Sequence, residues 1–182
     1  MSLIKKVILL SALMFSGFVS AQEYPVKPIK LVVGFSPGGA ADTVGRALAE
    51  GLSQRLGQPV IVENAAGANG NIAADLVARS KGDGYVLYFP SIGHAVNPSL
   101  YKKLNYDPIK DFTAIGLVFT APNVLVVPAN SPYKKLSDLI ADAKANPGKL
   151  NFASSGNGTS VHLSAELFLK MANAQATHIP YK

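Results

Sequence analysis

The chain has 182 residues, with 17 basic and 11 acidic side chains and no cysteine. Its content of 48% hydrophobic and 15% charged residues predicts a packed globular protein, because disordered chains are polar and highly charged. The lack of cysteine excludes disulfides, thiolate metal sites, iron–sulfur clusters and cysteine nucleophiles. Any chemistry must therefore use oxygen, nitrogen and backbone groups.

The first 21 residues have the pattern of an export signal. Lys5 and Lys6 form a positive n-region, residues 7–19 form an apolar run, and residues 19–21 form a small-residue cleavage site. The apolar run is shorter than the roughly 20 residues that a membrane span needs. We therefore expect cleavage near Ala21 and a mature chain in the periplasm.

The basic side chains are scattered along the chain. Loss of Lys5 and Lys6, two of the 17 basic residues, lowers the formal charge from +6 to +4. No basic stripe is interleaved with aromatic residues, which argues against nucleic-acid binding. A modest positive charge suits an anionic small ligand, but composition alone does not identify one.

Short β-branched runs alternate with longer amphipathic stretches, which predicts an α/β fold with mainly parallel sheets. The first unit has a strand at 29–33, a glycine-rich loop and a helix at 42–56. The next has an extended run at 60–63, a Gly/Asn/Ala loop at 64–70 and a helix at 71–80. A third strand follows at 86–89, and then a short helix near 98–102. The expected apolar face of the first helix is Val44, Ala47, Leu48, Gly51, Leu52 and Leu56.

Residues 107–112 predict a crossing into a second lobe. Apolar runs at 113–120 and 123–127 follow, then a helix at 136–145, a strand at 150–153 and a helix at 160–173. Another extended segment starts at 177–180, close to the last residue, and would leave an unfinished sheet edge. We expect a first lobe over 22–105 and an incomplete second lobe over 106–182.

Two loops place glycines and hydroxyl groups between a strand and the first turn of a helix. Such a turn presents unpaired N–H groups and the positive end of the helix dipole, which suit a carboxylate or phosphate oxygen. Alternatively, these residues only form the turn, with Asp42 or Ser160 as the N-cap. The matching positions of the two loops favour anion binding. The candidates are Ser36, Pro37, Gly38, Gly39 and Ala40 in the first loop and Ser154, Ser155, Gly156, Gly158, Thr159 and Ser160 in the second.

A serine hydrolase is the rival hypothesis, because residues 34–38 also fit G-x-S-x-G. Ser36 would be the nucleophile, with Asp107 or Asp138 and with His162 or His178 as its partners. Pro37 weakens this reading, because it removes a backbone N–H that would help form an oxyanion hole.

Cofactor and metal motifs have little support in the sequence. Residues 156–161 match a dinucleotide fingerprint only in part and have no acidic partner about 20 positions later. The three histidines are far apart in sequence and predict no local metal motif. We therefore expect neither a cofactor nor a metal.

Taken together, these segments resemble the solute-binding proteins of tripartite tricarboxylate transporters, also called the Bug family. The resemblance implies a periplasmic-binding-protein-like fold with two lobes and a ligand cleft between them. It also implies a monomer without enzymatic activity, which captures a small organic carboxylate for integral-membrane transporter subunits. The matching stretches are 24–30, 35–39 with Asp42, 63–71, 83–85, 97–101, 106–112, 122–127, 154–163 and 178–182.

The resemblance also implies where the ligand lies. One ligand carboxylate would sit between the first and second loops, which adds Asp42 and His162 to the candidates. Ser91, Gly93 and His94, after the third strand, would line the same cleft. Family members are usually much longer, so we expect this chain to lack the C-terminal part of both lobes, and an inactive fragment stays an alternative. Family resemblance does not identify the carboxylate.

Overall fold

The computed structural model describes residues 23–181. The predicted export signal and its cleavage site lie outside this part of the chain. The helices and strands follow the α/β order that the sequence predicts. They are β1 (Ile29–Val33), α1 (Ala40–Leu56), β2 (Val60–Asn64), α2 (Asn71–Ala78), β3 (Val86–Phe89), α3 (Gly93–Leu100), α4 (Leu136–Ala145), β4 (Asn151–Ser154), α5 (Ser160–Ala172) and β5 (Thr177–Pro180).

The strands form two parallel sheets. In the first sheet the order is β2-β1-β3, and Leu31 of the central strand is paired with Val62 and with Leu87. In the second sheet β4 pairs with β5, which places Phe152 opposite His178. The α/β class with mainly parallel sheets is therefore confirmed. Because parallel strands end at the same edge of a sheet, the loops after β1, β2 and β3 lie close together.

The core is centred on β1, whose residues Ile29, Leu31, Val32 and Val33 are buried. Four residues of the predicted α1 face pack on this core, namely Val44, Leu48, Leu52 and Leu56. Ala47 and Gly51 are exposed instead, and Gly45 and Ala49 are buried. A Cβ at position 45 would lie 3.1 Å from Val33 Cγ2. The missing side chain at Gly45 thus lets α1 lie close to β1 at Val33.

Three helices also differ from the prediction in their first residue or N-cap. The helix expected near 98–102 is α3, which begins at Gly93 and contains Pro98. The N-caps of α1 and α5 are Gly39 and Thr159, not Asp42 and Ser160. Thr159 takes this place because its Oγ1 accepts from the His162 N–H at 3.5 Å, which satisfies one first-turn donor.

The two apolar runs at 113–120 and 123–127 lie in no helix or strand. Ile115 and Leu117 are each 84% exposed. Phe119 stacks on Phe89 with 6.2 Å between ring centroids, and Asn123 Nδ2 donates to Ser164 Oγ at 2.7 Å. Within residues 23–181 this segment thus has contacts but no strand partner. No helix in the same range is long and apolar enough to span a membrane.

Candidate functional site

The first loop, residues 36–40, joins β1 to α1 and is organised by Asp42. This buried carboxylate accepts from Gly38 N at 2.8 Å, from Asn64 Nδ2 at 2.9 Å and from the Arg46 guanidinium at 2.9 Å. These bonds, the one from Arg46 above all, hold the pKa of Asp42 well below its usual range. Asp42 therefore stays ionised and ties the first loop to α1 and β2.

The start of α1 offers donors to an anion. Its N-cap is Gly39, which has no side chain to accept from the first-turn N–H groups. Those groups have no partner inside the helix, and residues 36–40 are exposed. The candidates Ser36, Pro37, Gly38, Gly39 and Ala40 thus lie together at an exposed, electropositive helix end.

The second loop, residues 154–160, joins β4 to α5 and is held by its own polar groups. Ser154 and Thr159 are buried, and Thr159 Oγ1 donates to Gly156 O at 2.8 Å. The Gly158 N–H donates to His162 Nδ1 at 3.1 Å. Ser155 and Ser160 are exposed. The loop is therefore shaped internally, and its outer residues face solvent.

A pair of stacked histidines supports the second loop. The rings of His162 and His178 lie 4.1 Å apart between centroids, and Phe152 stacks on His178 at 4.8 Å. His178 Nε2 is 2.6 Å from Ser154 Oγ. Burial, and then the neighbouring His162, lower the pKa of His178. The two histidines are far apart in sequence, so sequence reasoning did not predict that they meet. That prediction would have required the register of the β4–β5 pair.

The residues after β3 have mainly packing contacts. Ser91 Oγ accepts from Gly93 N at 3.2 Å at the start of α3. His94 Nε2 lies 2.9 Å from Pro108 O, and the ring contacts Phe112 with 4.8 Å between centroids. His94 thus lies in an aromatic cluster where the chain passes from the first predicted lobe to the second.

The loop predicted at 64–70 contains a turn that lies among these segments, and sequence reasoning did not assign it to the site. Residues 67–70, here called the left-handed turn, have φ values of +131°, +48°, +53° and +87°. Three glycines from other parts of the chain pack on this turn: Gly34, Gly93 and Gly158. Gly34 precedes the first loop, Gly93 follows β3, and Gly158 belongs to the second loop. The left-handed turn therefore connects all three candidate segments, and its density of glycine was the available signal.

The hydrolase arrangement for Ser36 is not assembled in the described part of the chain. The ring nitrogens of the three histidines contact Pro108, Gly158, Glu166 and Ser154 there, and none contacts Ser36. Within residues 23–181, moreover, no three His, Asp or Glu side chains are grouped so that they could hold a metal.

The parallel sheets and the loops at their carboxyl ends define a protein of the periplasmic-binding-protein class. Solved structures of this class match over most of the chain. An R. palustris protein solved with adipate covers 88% of this chain at 38% identity and a TM-score of 0.84, and the match spans 54% of that protein. MatC from Rhodopseudomonas palustris, solved with bound malate, matches at 34% identity and a TM-score of 0.78 over 87% of this chain and 54% of its own.

Residues 44–182 match the family described as "Tripartite tricarboxylate transporter family receptor", and the chain belongs to this family. BugT of Bordetella pertussis is 42% identical over 90% of this chain and 51% of its own length. The "UPF0065 protein in gbd 5′ region" of Cupriavidus necator is 43% identical over 89% of this chain and 49% of its own. The chain thus spans about half the length of the curated relatives that it matches.

Proposed function

We propose that this chain is the ligand-capturing part of an exported receptor for a small organic carboxylate. The ligand carboxylate would accept hydrogen bonds from the first loop at the start of α1 and from the second loop at the start of α5. A membrane transporter of the tripartite tricarboxylate type would receive the ligand. In this proposal the protein binds and releases its ligand without chemical change.

The observation that carries the proposal is the pair of donor-rich loops, each before a helix. The left-handed turn contacts Gly34, just before the first loop, and Gly158 in the second loop. Donors at a helix start favour anions, and their bonds to an ionised carboxylate are stronger than neutral ones. The adipate and malate in two neighbouring structures of 38% and 34% identity support a carboxylate as the ligand. Asp42 would position the first loop, and His162 the second, because both already bond to backbone N–H groups.

We also propose that the chain has two lobes and that it is exported to the periplasm. A boundary near residue 105 would place the first loop in one lobe and the second loop in the other, so that closure around a hinge brings them onto one ligand. The predicted signal would direct the chain to the periplasm. Mass spectrometry of the protein from a periplasmic extract should find an N-terminus next to Ala21, and retention of residues 1–21 would contradict export with cleavage.

Calorimetric titration of the whole chain with succinate, adipate, citrate and glutamate tests the function. At least one carboxylate should bind, whereas its uncharged amide analogue should not, because the proposed donors require an anionic acceptor. Equal binding of a carboxylate and its amide, or binding of neither, would contradict the proposal.

Two glycines at opposite ends of α1 provide a matched pair of variants. Gly38 and Gly57 both have positive φ, at +85° and +66°, and an added Cβ would meet no atom within 4 Å at either. Alanine at each position should therefore cost a similar amount, about 1–2 kcal/mol of backbone strain. Only Gly38→Ala should also weaken carboxylate binding, since only Gly38 lies in the first loop.

The rival serine hydrolase predicts turnover of an activated ester. Our proposal predicts none above background for the wild-type chain. Turnover that is lost in Ser36→Ala would replace the binding function with catalysis, and turnover lost in Ser154→Ala would assign it to the serine that contacts His178.

A further inference from the structure

The left-handed turn contacts three glycines that lie in or next to the candidate segments, and a Cβ added at any of them would come within 3.0 Å of another atom. A Cβ at Gly34 would lie 2.8 Å from Gly70 Cα, and one at Gly93 would lie 2.6 Å from Asn69 O. A Cβ at Gly158 would meet Leu100 Cδ1 first and would lie 2.8 Å from Asn69 Nδ2. Gly34 and Gly93 belong to the first predicted lobe and Gly158 to the second. Asn69 therefore lies where the second loop meets the first lobe.

The backbone of this turn is strained at its two residues with side chains. Ala68 and Asn69 have φ values of +48° and +53°, a region that non-glycine residues seldom adopt and that costs about 1–3 kcal/mol at each position. Asparagine tolerates it better than most residues. Strain of this kind persists where surrounding contacts fix it, and here the surrounding contacts are the candidate loops.

Hydrogen bonds fix the orientation of the Asn69 side chain. Asn69 Nδ2 donates to Asn97 Oδ1 at 2.9 Å, while Asn97 Nδ2 donates to Asn69 O at 3.0 Å and to Asn71 Oδ1 at 2.7 Å. The Tyr106 hydroxyl also donates to Asn71 Oδ1. Since the amide groups of Asn69 and Asn97 are engaged as donors, the oxygen of each amide can be assigned. The network leaves Asn69 with one side-chain acceptor.

That acceptor, Asn69 Oδ1, is buried and receives no hydrogen bond from the residues that the structure describes. A buried polar atom without a partner costs about 1–3 kcal/mol. The free energy is recovered when a donor reaches the oxygen. Gly158 packs on the nitrogen of this amide, so movement of the second loop away from the first lobe would uncover the Asn69 amide group for a ligand.

We propose that Asn69 is a selectivity-determining residue, whose Oδ1 accepts a hydrogen bond from a hydroxyl group on the carbon chain of the captured carboxylate. This inference rests on the proposed function and deepens it. The loops would bind the carboxylate group, and Asn69 would bind the hydroxyl group on the neighbouring carbon chain. The preferred substrate class is then the hydroxy acids, since an unsubstituted acid leaves the buried oxygen unpaired.

Malate and succinate differ by one hydroxyl group and test this inference directly. The wild-type chain should bind malate about tenfold more tightly than succinate, the factor that one such hydrogen bond supplies. Asn69→Gly removes the side chain but allows the positive φ, so it should bind both acids equally. Asn173→Gly is the matched control, because Asn173 also has a positive φ, of +49°, but is exposed at the end of α5; it should keep the preference.

Asn69→Asp provides a second variant that retains the acceptor. Its carboxylate should weaken binding of both acids by repulsion but keep the preference for malate. Equal affinities of the wild-type chain for the two acids, or a malate preference that survives in Asn69→Gly, would overturn this inference and leave the proposed function standing. Failure of the wild-type chain to bind any carboxylate would instead refute the proposed function and this inference with it.

Discussion

The two halves of the described chain differ in how completely their apolar residues are covered. In residues 23–105 four of the five residues of the central strand β1 are buried, with β2 and β3 beside it in the sheet and α1 packed on it. In residues 106–181 helix α5 has no buried residue, and its Leu167 and Met171 are 58% and 79% exposed. The segment 113–127 is also apolar and mostly exposed.

This difference shows that local signals can define a helix even where little tertiary packing stabilises it. Helix α5 has a cap at each end, Thr159 and the left-handed Asn173, so local signals suffice to define it. A short strand needs partners, and the apolar run at 113–120 finds none within the described residues. The first half should therefore respond to mutation like a folded core, and the second half much less.

The largest expected effect comes from the same substitution made in each half. Ile29 is 1% exposed and Ile115 is 84% exposed. Ile29→Ala should lower the free energy of unfolding by about 2–5 kcal/mol, because it removes buried methyl groups and leaves a cavity. Ile115→Ala should change it by at most about 0.5 kcal/mol.

Urea denaturation of both variants measures this contrast. Equal losses would mean that residue 115 is buried in solution and that the halves do not differ as described. A loss in neither would mean that the first half lacks a cooperative core.

A smaller effect is expected from pH in the second half. Burial and His162 lower the pKa of His178, so the unfolded chain takes up a proton more readily than the folded one. The stability that neutral His178 contributes is thus present above its ordinary pKa and is lost as the pH falls through its lowered, folded-state value. Acidification should weaken the β4–β5 sheet and spare the first sheet.

Hydrogen exchange, corrected for intrinsic rates, can follow this loss between about pH 7.5 and about pH 5.5, a range that brackets the ordinary histidine pKa. The Thr177 N–H, which donates to Leu150 O, should lose protection, while the Lys30 N–H, which donates to Tyr85 O, should not. His178→Gln should remove the dependence. An unchanged dependence in that variant would assign it to another group.

The smallest expected effect concerns a surface ion pair. Arg79 Nε lies 2.9 Å from Asp75 Oδ1, with the arginine side chain 67% exposed. Arg79→Ala should lower the free energy of unfolding by only about 0.3–0.5 kcal/mol, as is usual for exposed pairs four residues apart on a helix. A loss as large as that of Ile29→Ala would show that charge, not burial, dominates the stability of the first half.

Much of the fold could be predicted from periodicity and turn chemistry. Helix α4 was placed at residues 136–145 as observed, and β1 at 29–33, because short apolar runs and Gly or Pro boundaries are local signals. The face predicted for α1 is confirmed at its four large residues and wrong at Ala47 and Gly51. Hydrophobic spacing could not show that Gly45, a residue without a side chain, packs on Val33 of β1.

The candidate site could be predicted only in part. Its two loops were found from glycines and hydroxyl groups that are adjacent in sequence. Asn69 and the contact of His162 with His178 were missed, because both depend on which strands pair and on which residues then meet. The direct role of each candidate residue stays a prediction that the binding experiments address.

The meeting of three glycines on one turn separates the positions that can be redesigned from those that cannot. Exposed residues such as Ser36, Ala40 and Ser155 can be randomised in a library without disturbing the turn. Side chains at positions 34 and 93 would collide with the backbone of the turn, and one at position 158 would collide with the side chains of Leu100 and Asn69. Engineering towards new ligands should therefore vary the loop tips and leave the glycines unchanged.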